Sequence, residues 1–349
     1  MPRRVHDARD ELRYGGAMAR FAVVGSGAWG TALAAHAARL GHAVTLWALE
    51  PEVVASINDA HENRTFLAGA SLSDRLTATS DLSAALAGAS LVCLATPSQH
   101  LRAVLRRGAP AMEAGATVCV ASKGIEQGSL ALMSEVVAAE LRGRPVVALS
   151  GPSFASEVVA RQPTAIVAAS DDPSAADAVQ DAFSNATFRV YTHDDIIGVE
   201  LGGALKNVMA VATGICEGAG FGYNARAALV TRGLAEMTRL GTALGASPAT
   251  FAGLAGIGDL VLTCTGSLSR NRAVGMEIGR GASLDEALAG KQTVAEGVAT
   301  TRSALALAGR LDVEMPIVTM VNRVLFDGLP ALQAVSDLMS RALRPEQDA

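Results

Sequence analysis

Residues 20–47 read RFAVVGSGAWGTALAAHAARLGHAVTLW, and this stretch decides the fold. Arg20 to Gly25 is a short apolar run closed by glycine, the pattern of a strand buried in a parallel sheet. Thr31 to Leu40 is alanine-rich and helical, ending at Gly41, and His42 to Trp47 reads as a second strand. Strand, glycine turn, helix and strand within about 30 residues make a βαβ unit, so helices cover the faces of a parallel sheet. Gly25, Gly27 and Gly30 stand in G-x-G-x-x-G at the strand-to-helix turn. The first glycine permits the turn, the second lets backbone approach a pyrophosphate, and the third allows helix and strand to pack closely. The helix N-terminus then faces the phosphate charge. In this context the motif predicts dinucleotide binding rather than a glycine turn used only for packing.

Strand-like runs recur outward from this unit. Ser90 to Ala95, Thr117 to Ala121 and Val146 to Leu149 end in polar segments, and Thr164 to Ala169 and Phe188 to Tyr191 read as later strands. Beyond about Asp194 the texture becomes that of long amphipathic helices. In Ala225 to Gly245, Val230, Leu234, Met237, Leu240 and Leu244 recur every three or four residues. Ser283-Leu-Asp-Glu286 has capping-box spacing. The expected fold is α/β: a doubly wound Rossmann-type parallel-sheet domain, residues 18–195, followed by an all-helical domain, 196–349. The first 17 residues mix both charge signs without an apolar core, so they are no secretory signal and read as a disordered extension.

The 349 residues carry a net charge of -5, which argues against nucleic acid as a partner. Mean hydropathy is positive because alanine is abundant, and no stretch of about 18 apolar residues runs without polar interruption, so no membrane span is expected. Cys93, Cys119, Cys216 and Cys264 are widely spaced and form no CxxC pair, so a reduced cytoplasmic protein without a metal site is the simplest reading. Alanine-rich helices in the second domain suit a homodimer interface and packing within one subunit equally.

Lysine occurs only at Lys123, Lys206 and Lys291, so 26 of the 29 basic residues are arginine. Arginine holds its proton near neutral pH, whereas a partly desolvated lysine can release one. A lysine kept in such a chain is a candidate for chemistry, with chance survival the plain alternative. Ligands of open α/β sheets bind beyond the carboxyl ends of the strands. There stand Thr96-Pro97-Ser98-Gln99, Ser122-Lys123-Gly124 and Gly151-Pro152-Ser153. Lys206 and Asn207 lie in an apolar helix among Leu205, Val208 and Met209, where a lysine needs an acidic partner or a task. Asp259, after Gly256-Ile-Gly, is placed to pair with Lys206, or is a residue of a glycine turn. Ser269-Arg270-Asn271-Arg272 opens a helix whose first N–H groups and arginine fork suit a phosphate. Glu50, about 20 residues beyond Gly30, is placed for a ribose 2′-hydroxyl with no arginine beside it. That tilts the cofactor toward NAD over NADP, although Glu50 serves equally well as a helix cap.

GSGAWGTALA, SKGIE, GPSFASEV, LGGALKNV, RGLAEM, GLAGIGDLVLTCT, SRNR and VAEGVAT occur in order over residues 20 to 325. Together they resemble the bacterial-type NAD(P)-dependent glycerol-3-phosphate dehydrogenases. The resemblance implies hydride transfer between NAD(P)H and dihydroxyacetone phosphate, a phosphorylated triose, in glycerophospholipid synthesis. It implies Lys206 as the catalytic acid/base, with Lys123, Gly151, Ser153, Asp259, Ser269, Arg270 and Asn271 holding the substrate. Ala28, Trp29, Lys123, Ala155, Arg270, Val294 and Glu296 would line the cofactor. From the chemistry of reducing a carbonyl, Asn207 and Asp259 are expected to orient Lys206. Two positions depart from the family: Leu49 replaces an arginine often found after the second strand, and Leu67-Ala68-Gly69 stands for Leu-Pro-Gly. A β-hydroxyacid dehydrogenase of the same layout and a non-catalytic dinucleotide sensor are the rival readings. The phosphate-suited Ser269 to Asn271 disfavours the first, and retention of Lys206 and Asp259 disfavours the second.

Overall fold

The computed structural model describes residues 19–290, 295–343, 345 and 346. The expected extension at 1–17, and Lys291 and Val294, lie outside the described residues. Eight strands form one sheet: β1 Arg20–Val24, β2 Ala43–Trp47, β3 Leu76–Thr79, β4 Leu91–Leu94, β5 Thr117–Val120, β6 Val146–Ser150, β7 Thr164–Ala169 and β8 Phe188–His193. Their order is β3-β2-β1-β4-β5-β6-β7-β8. Successive residues of β1 feed opposite faces. Phe21 and Val23 pack with Leu33, Leu46, Phe183 and Phe188, whereas Ala22 and Val24 pack with Leu86, Leu101, Leu105 and Val136. Burial on both faces is why β1 is a continuous apolar run.

The sheet departs from the sequence reading in two places. β3 went unread, because RLTAT is short and only Leu76 and Ala78 of it point inward. β7 pairs antiparallel with β6, Leu149 opposite Ala168, although β8 is again parallel to β7. Between β6 and β7 the helix Ala155–Val159 packs on the first helix, Ala28–Arg39, where Arg39 donates to the Val159 carbonyl at 2.8 Å. The chain then re-enters the sheet from the end at which it left. The capping box at Ser283 and Glu286 is present as read.

Beyond β8 the chain is helical. The long helix Ile196–Gly218 starts at Asp195, whose carboxylate accepts from the Gly198 amide, and every residue from Gly198 to Cys216 is buried. It is apolar all round, as its sequence reads and as a central helix must be. By length and composition this helix, and the span Pro248–Thr265, would cross a membrane, yet 94% of the most apolar window of the long helix is buried inside the protein. Val199 and Ala255 join Ala148, Val167 and Ala169 in a small cluster that fixes the helical part to the sheet.

The long helix crosses the helix Arg270–Gly279 at backbone contact. Gly214 and Gly218 on one meet Gly275 and Gly279 on the other; a Cβ on Gly275 would collide with the Val211 carbonyl, and one on Gly214 with the Arg272 carbonyl. Lys206 rides on the first helix and Arg270 on the second, so this crossing sets their separation. A Gly275→Val variant should lose about 1–3 kcal/mol by overpacking, read as a lower urea midpoint.

Candidate active site

β1 lies between β2 and β4, and at their carboxyl ends a cavity of about 730 Å³ opens between the sheet and the helical part. Such a switch in strand order is where open α/β sheets bind ligands. The glycine turn forms its floor. Gly25 has φ +121°, and a Cβ there would stand 2.7 Å from the Ala95 carbonyl oxygen. A Cβ on Gly30 would collide with the Gly25 carbonyl, whereas one on Gly27 would meet nothing within 4 Å. Gly25 and Gly30 thus serve turn and packing, and Gly27 leaves the approach to the first N–H groups of helix Ala28–Arg39 open. Those amides have no partner within the helix. Buried Asn63 pins the turn from outside, donating to the Ser26 carbonyl and to Thr31 Oγ1, each at 2.8 Å.

The residues present fit a nicotinamide dinucleotide. Ala28, Trp29, Lys123, Ala155, Arg270 and Glu296 all line the cavity, and Trp29 Nε1 and Thr96 Oγ1 are buried there with no hydrogen-bond partner among the described residues. Glu296 is held rather than free: it accepts from the Ser98 amide at 3.0 Å and the Ser98 hydroxyl at 2.6 Å. This bond ties the helix Glu296–Arg310 to the segment after β4. Burial pushes the Glu296 carboxyl above its ordinary range. Glu50 occupies the cap position of the helix Pro51–Ala60, but its carboxylate makes no capping bond. It turns instead toward the glycine turn, where Ser26 Oγ donates to it at 3.4 Å.

The cation cluster stands opposite. Asp259 is 0% exposed and opens the helix Asp259–Thr265, whose dipole favours a negative charge at that end. Lys206 Nζ donates to Asp259 Oδ1, and Lys123 Nζ donates to Asp259 Oδ2 at 2.7 Å. One carboxylate therefore serves two ammonium groups reaching it from β5 and the long helix. Lys123 also reaches the Gly151 carbonyl at 3.4 Å, which accepts from Ser153 Oγ at 3.0 Å. Burial alone would raise the Asp259 carboxyl, but Lys123 and Lys206 together outweigh it and hold it below the ordinary value. Burial pushes the Lys206 ammonium down to about 7, with Asp259 acting upward and Lys123 downward. A lysine in this range gives and takes a proton near neutrality.

Beside this cluster begins the helix Arg270–Gly279. Its cap residue Ser269 accepts from the Arg272 amide, which leaves the amides of Arg270 and Asn271 without a partner among the described residues. Arg270 is exposed and lines the cavity. Asn271 Nδ2 donates to Asn207 Oδ1 at 2.9 Å, and Asn271 Oδ1 accepts from the Gly297 amide at 2.9 Å. Asn207 Nδ2 donates to the Gly203 carbonyl at 3.3 Å. Asn207 therefore does not orient Lys206 by a hydrogen bond, contrary to the expectation from the chemistry. The Asn207–Asn271 pair instead joins three helices into one frame, Asn271 reaching Gly297 on the third, since residues 206 and 207 point to different sides of their helix.

Every predicted site residue that the structure describes lines this cavity or bonds to a residue that does. Sequence reading missed Asn63, Phe66, Leu67 and Arg107, which also shape it. Leu67 opens the departing Leu67-Ala68-Gly69 segment and Phe66 precedes it, and a loop's side chains carry no periodicity that would aim them.

The family model described as NAD-dependent glycerol-3-phosphate dehydrogenase N-terminus matches residues 20–176, and that for the C-terminus matches 195–336. A glycerol-3-phosphate dehydrogenase [NAD(P)+] of Geobacter sp. (strain M21) is 53% identical over 330 residues, covering 94% of this chain and 98% of that protein. One from Caulobacter vibrioides is 52% identical over 324 residues, covering 93% and 98%. The crystal structure of glycerol-3-phosphate dehydrogenase from Coxiella burnetii superposes with a TM-score of 0.90 at 41% identity, covering 93% of this chain and 99% of that one. By its glycine turn, its paired lysines and these likenesses over nearly its whole length, the chain belongs to the NAD-dependent glycerol-3-phosphate dehydrogenase family.

Proposed function

We propose that this enzyme interconverts dihydroxyacetone phosphate and sn-glycerol 3-phosphate with NADH or NADPH, in the cytoplasm, for glycerophospholipid synthesis. The observation that carries the proposal is the Lys123–Asp259–Lys206 bridge, with the open end of the Arg270 helix in the same cavity. A bound nicotinamide dinucleotide supplies the hydride that reduces C2. Lys206 as an ammonium donates to the C2 carbonyl oxygen, and gives up its proton as that oxygen becomes a hydroxyl. In the oxidative direction the neutral amine takes the proton back. Lys123 adds positive charge where the oxygen gains electron density. The Arg270 fork and the amides of Arg270 and Asn271 hold the phosphate, and that binding energy aligns the reacting carbon. Glu50, free of a capping bond, accepts from the adenosine ribose and favours NAD. Residues 18–195 act as the dinucleotide-binding unit and 196–349 as the substrate unit.

A β-hydroxyacid dehydrogenase needs a clamp for a carboxylate, which separates it from this reading. Inorganic phosphate should compete with the ketone substrate in steady-state assays, whereas acetate at equal ionic strength should not. Competition by acetate alone would favour the hydroxyacid reading.

A further inference from the structure

The end of β2 carries no cation: Trp47, Ala48, Leu49 and Glu50 offer the cavity an apolar side chain, 66% exposed at Leu49, and a carboxylate. That wall alone would reject a 2′-phosphorylated dinucleotide. Because β2 and β4 flank β1, the segment after β4 faces it across the glycine turn. The helix Leu101–Gly108 follows β4, and Ala103, Val104 and Arg107 line the same cavity as Leu49 and Glu50.

This helix reads LRAVLRRG and bears three arginines with different fates. Arg102 is held by Glu126 at 2.7 Å and Glu140 at 2.6 Å, and Arg106 is bound by Glu140 at 3.1 Å. Arg107 makes no hydrogen bond or ion pair among the described residues, is exposed, and borders the cavity. We propose that Arg107 is a second determinant of cofactor choice, receiving the 2′-phosphate of NADP from the helix that follows β4. A guanidinium fork matches a phosphate with two parallel N–H···O bonds. Glu50 then selects the ribose hydroxyl and Arg107 the phosphate, so one cavity admits both dinucleotides. Position in the last turn of the helix would favour any cation by the helix dipole, but it does not explain why Arg107 borders the cavity.

The inference rests on the cavity binding a nicotinamide dinucleotide, but not on the identity of the ketone. Calorimetric titration of wild type and Arg107→Ala with NADP+, NAD+, adenosine 2′,5′-bisphosphate and AMP tests it without turnover. Loss of a charge-assisted pair should weaken NADP+ and the bisphosphate by about 10- to 100-fold, with NAD+ and AMP unchanged within about twofold. Intact NAD+ binding also reports that the variant is folded. Equal weakening of all four ligands, or no change in any, would overturn the assignment. Failure of the wild type to bind either dinucleotide would overturn the reading of the cavity, and the assignment with it.

Discussion

Replacing Lys206 by arginine should leave a positive charge beside Asp259 and still cut kcat about a thousandfold. Arginine holds its proton throughout the working pH range, so it donates a hydrogen bond to the carbonyl oxygen but cannot complete the transfer. The wild-type pH profile has a fixed sign. Lys206 is pushed down to about 7, and reduction needs the protonated form. The kcat/KM for ketone reduction should therefore fall as pH rises through about 7, while that for alcohol oxidation rises over the same range. In Lys206→Arg both limbs should be absent. Steady-state assays in both directions check this, and a variant retaining most of its turnover would remove Lys206 from the acid/base role.

Asp259→Asn should have the largest effect on stability. It leaves two ammonium groups, one of them buried, around a neutral amide in a site that is 0% exposed at position 259. Stranding buried charge in this way costs about 3–5 kcal/mol. Removing the group that acts upward on Lys206 also drops its pKa further, so less of the ammonium is present at neutral pH and reduction slows. Lys206→Met should be much milder in urea denaturation, since Asp259 keeps Lys123 and the Thr263 hydroxyl at 3.3 Å. Adding Lys206→Met to Asp259→Asn should restore part of the lost stability, because one stranded charge is gone. Simple additivity of the two changes would mean that the lysine and the carboxylate do not act as a unit.

What the sequence disclosed follows how local each signal is. GSGAWG between an apolar strand and an alanine-rich helix is a local pattern: Gly25 and Gly30 are required by turn and packing as the motif predicts, and Gly27 stands in open space. The scarcity of lysine pointed to Lys123 and Lys206, and both converge on Asp259. That one carboxylate is shared was not readable, since Lys123 and Asp259 are 136 residues apart and no spacing rule connects them. Asn207 and Asn271 were read as functional polar groups; both line the cavity, and their side chains also brace the helices that carry Lys206 and Arg270, which no local pattern discloses. A buried asparagine looks the same in sequence whichever task it has. The direction of β7 depends on how the helix Ala155–Val159 packs, which its own residues do not encode. Arg107 stayed invisible because it is one arginine among three on an ordinary helix. Only the pairing of its two neighbours with Glu126 and Glu140 sets it apart.

The most direct test is nicotinamide absorbance of the purified enzyme with dihydroxyacetone phosphate, using NADH and NADPH separately at matched concentrations. The account predicts rapid oxidation of the dinucleotide, with NADH ahead of NADPH by the carboxylate of Glu50. Binding of either dinucleotide without oxidation would contradict it, and would make the cavity that of a sensor or of an enzyme for another substrate.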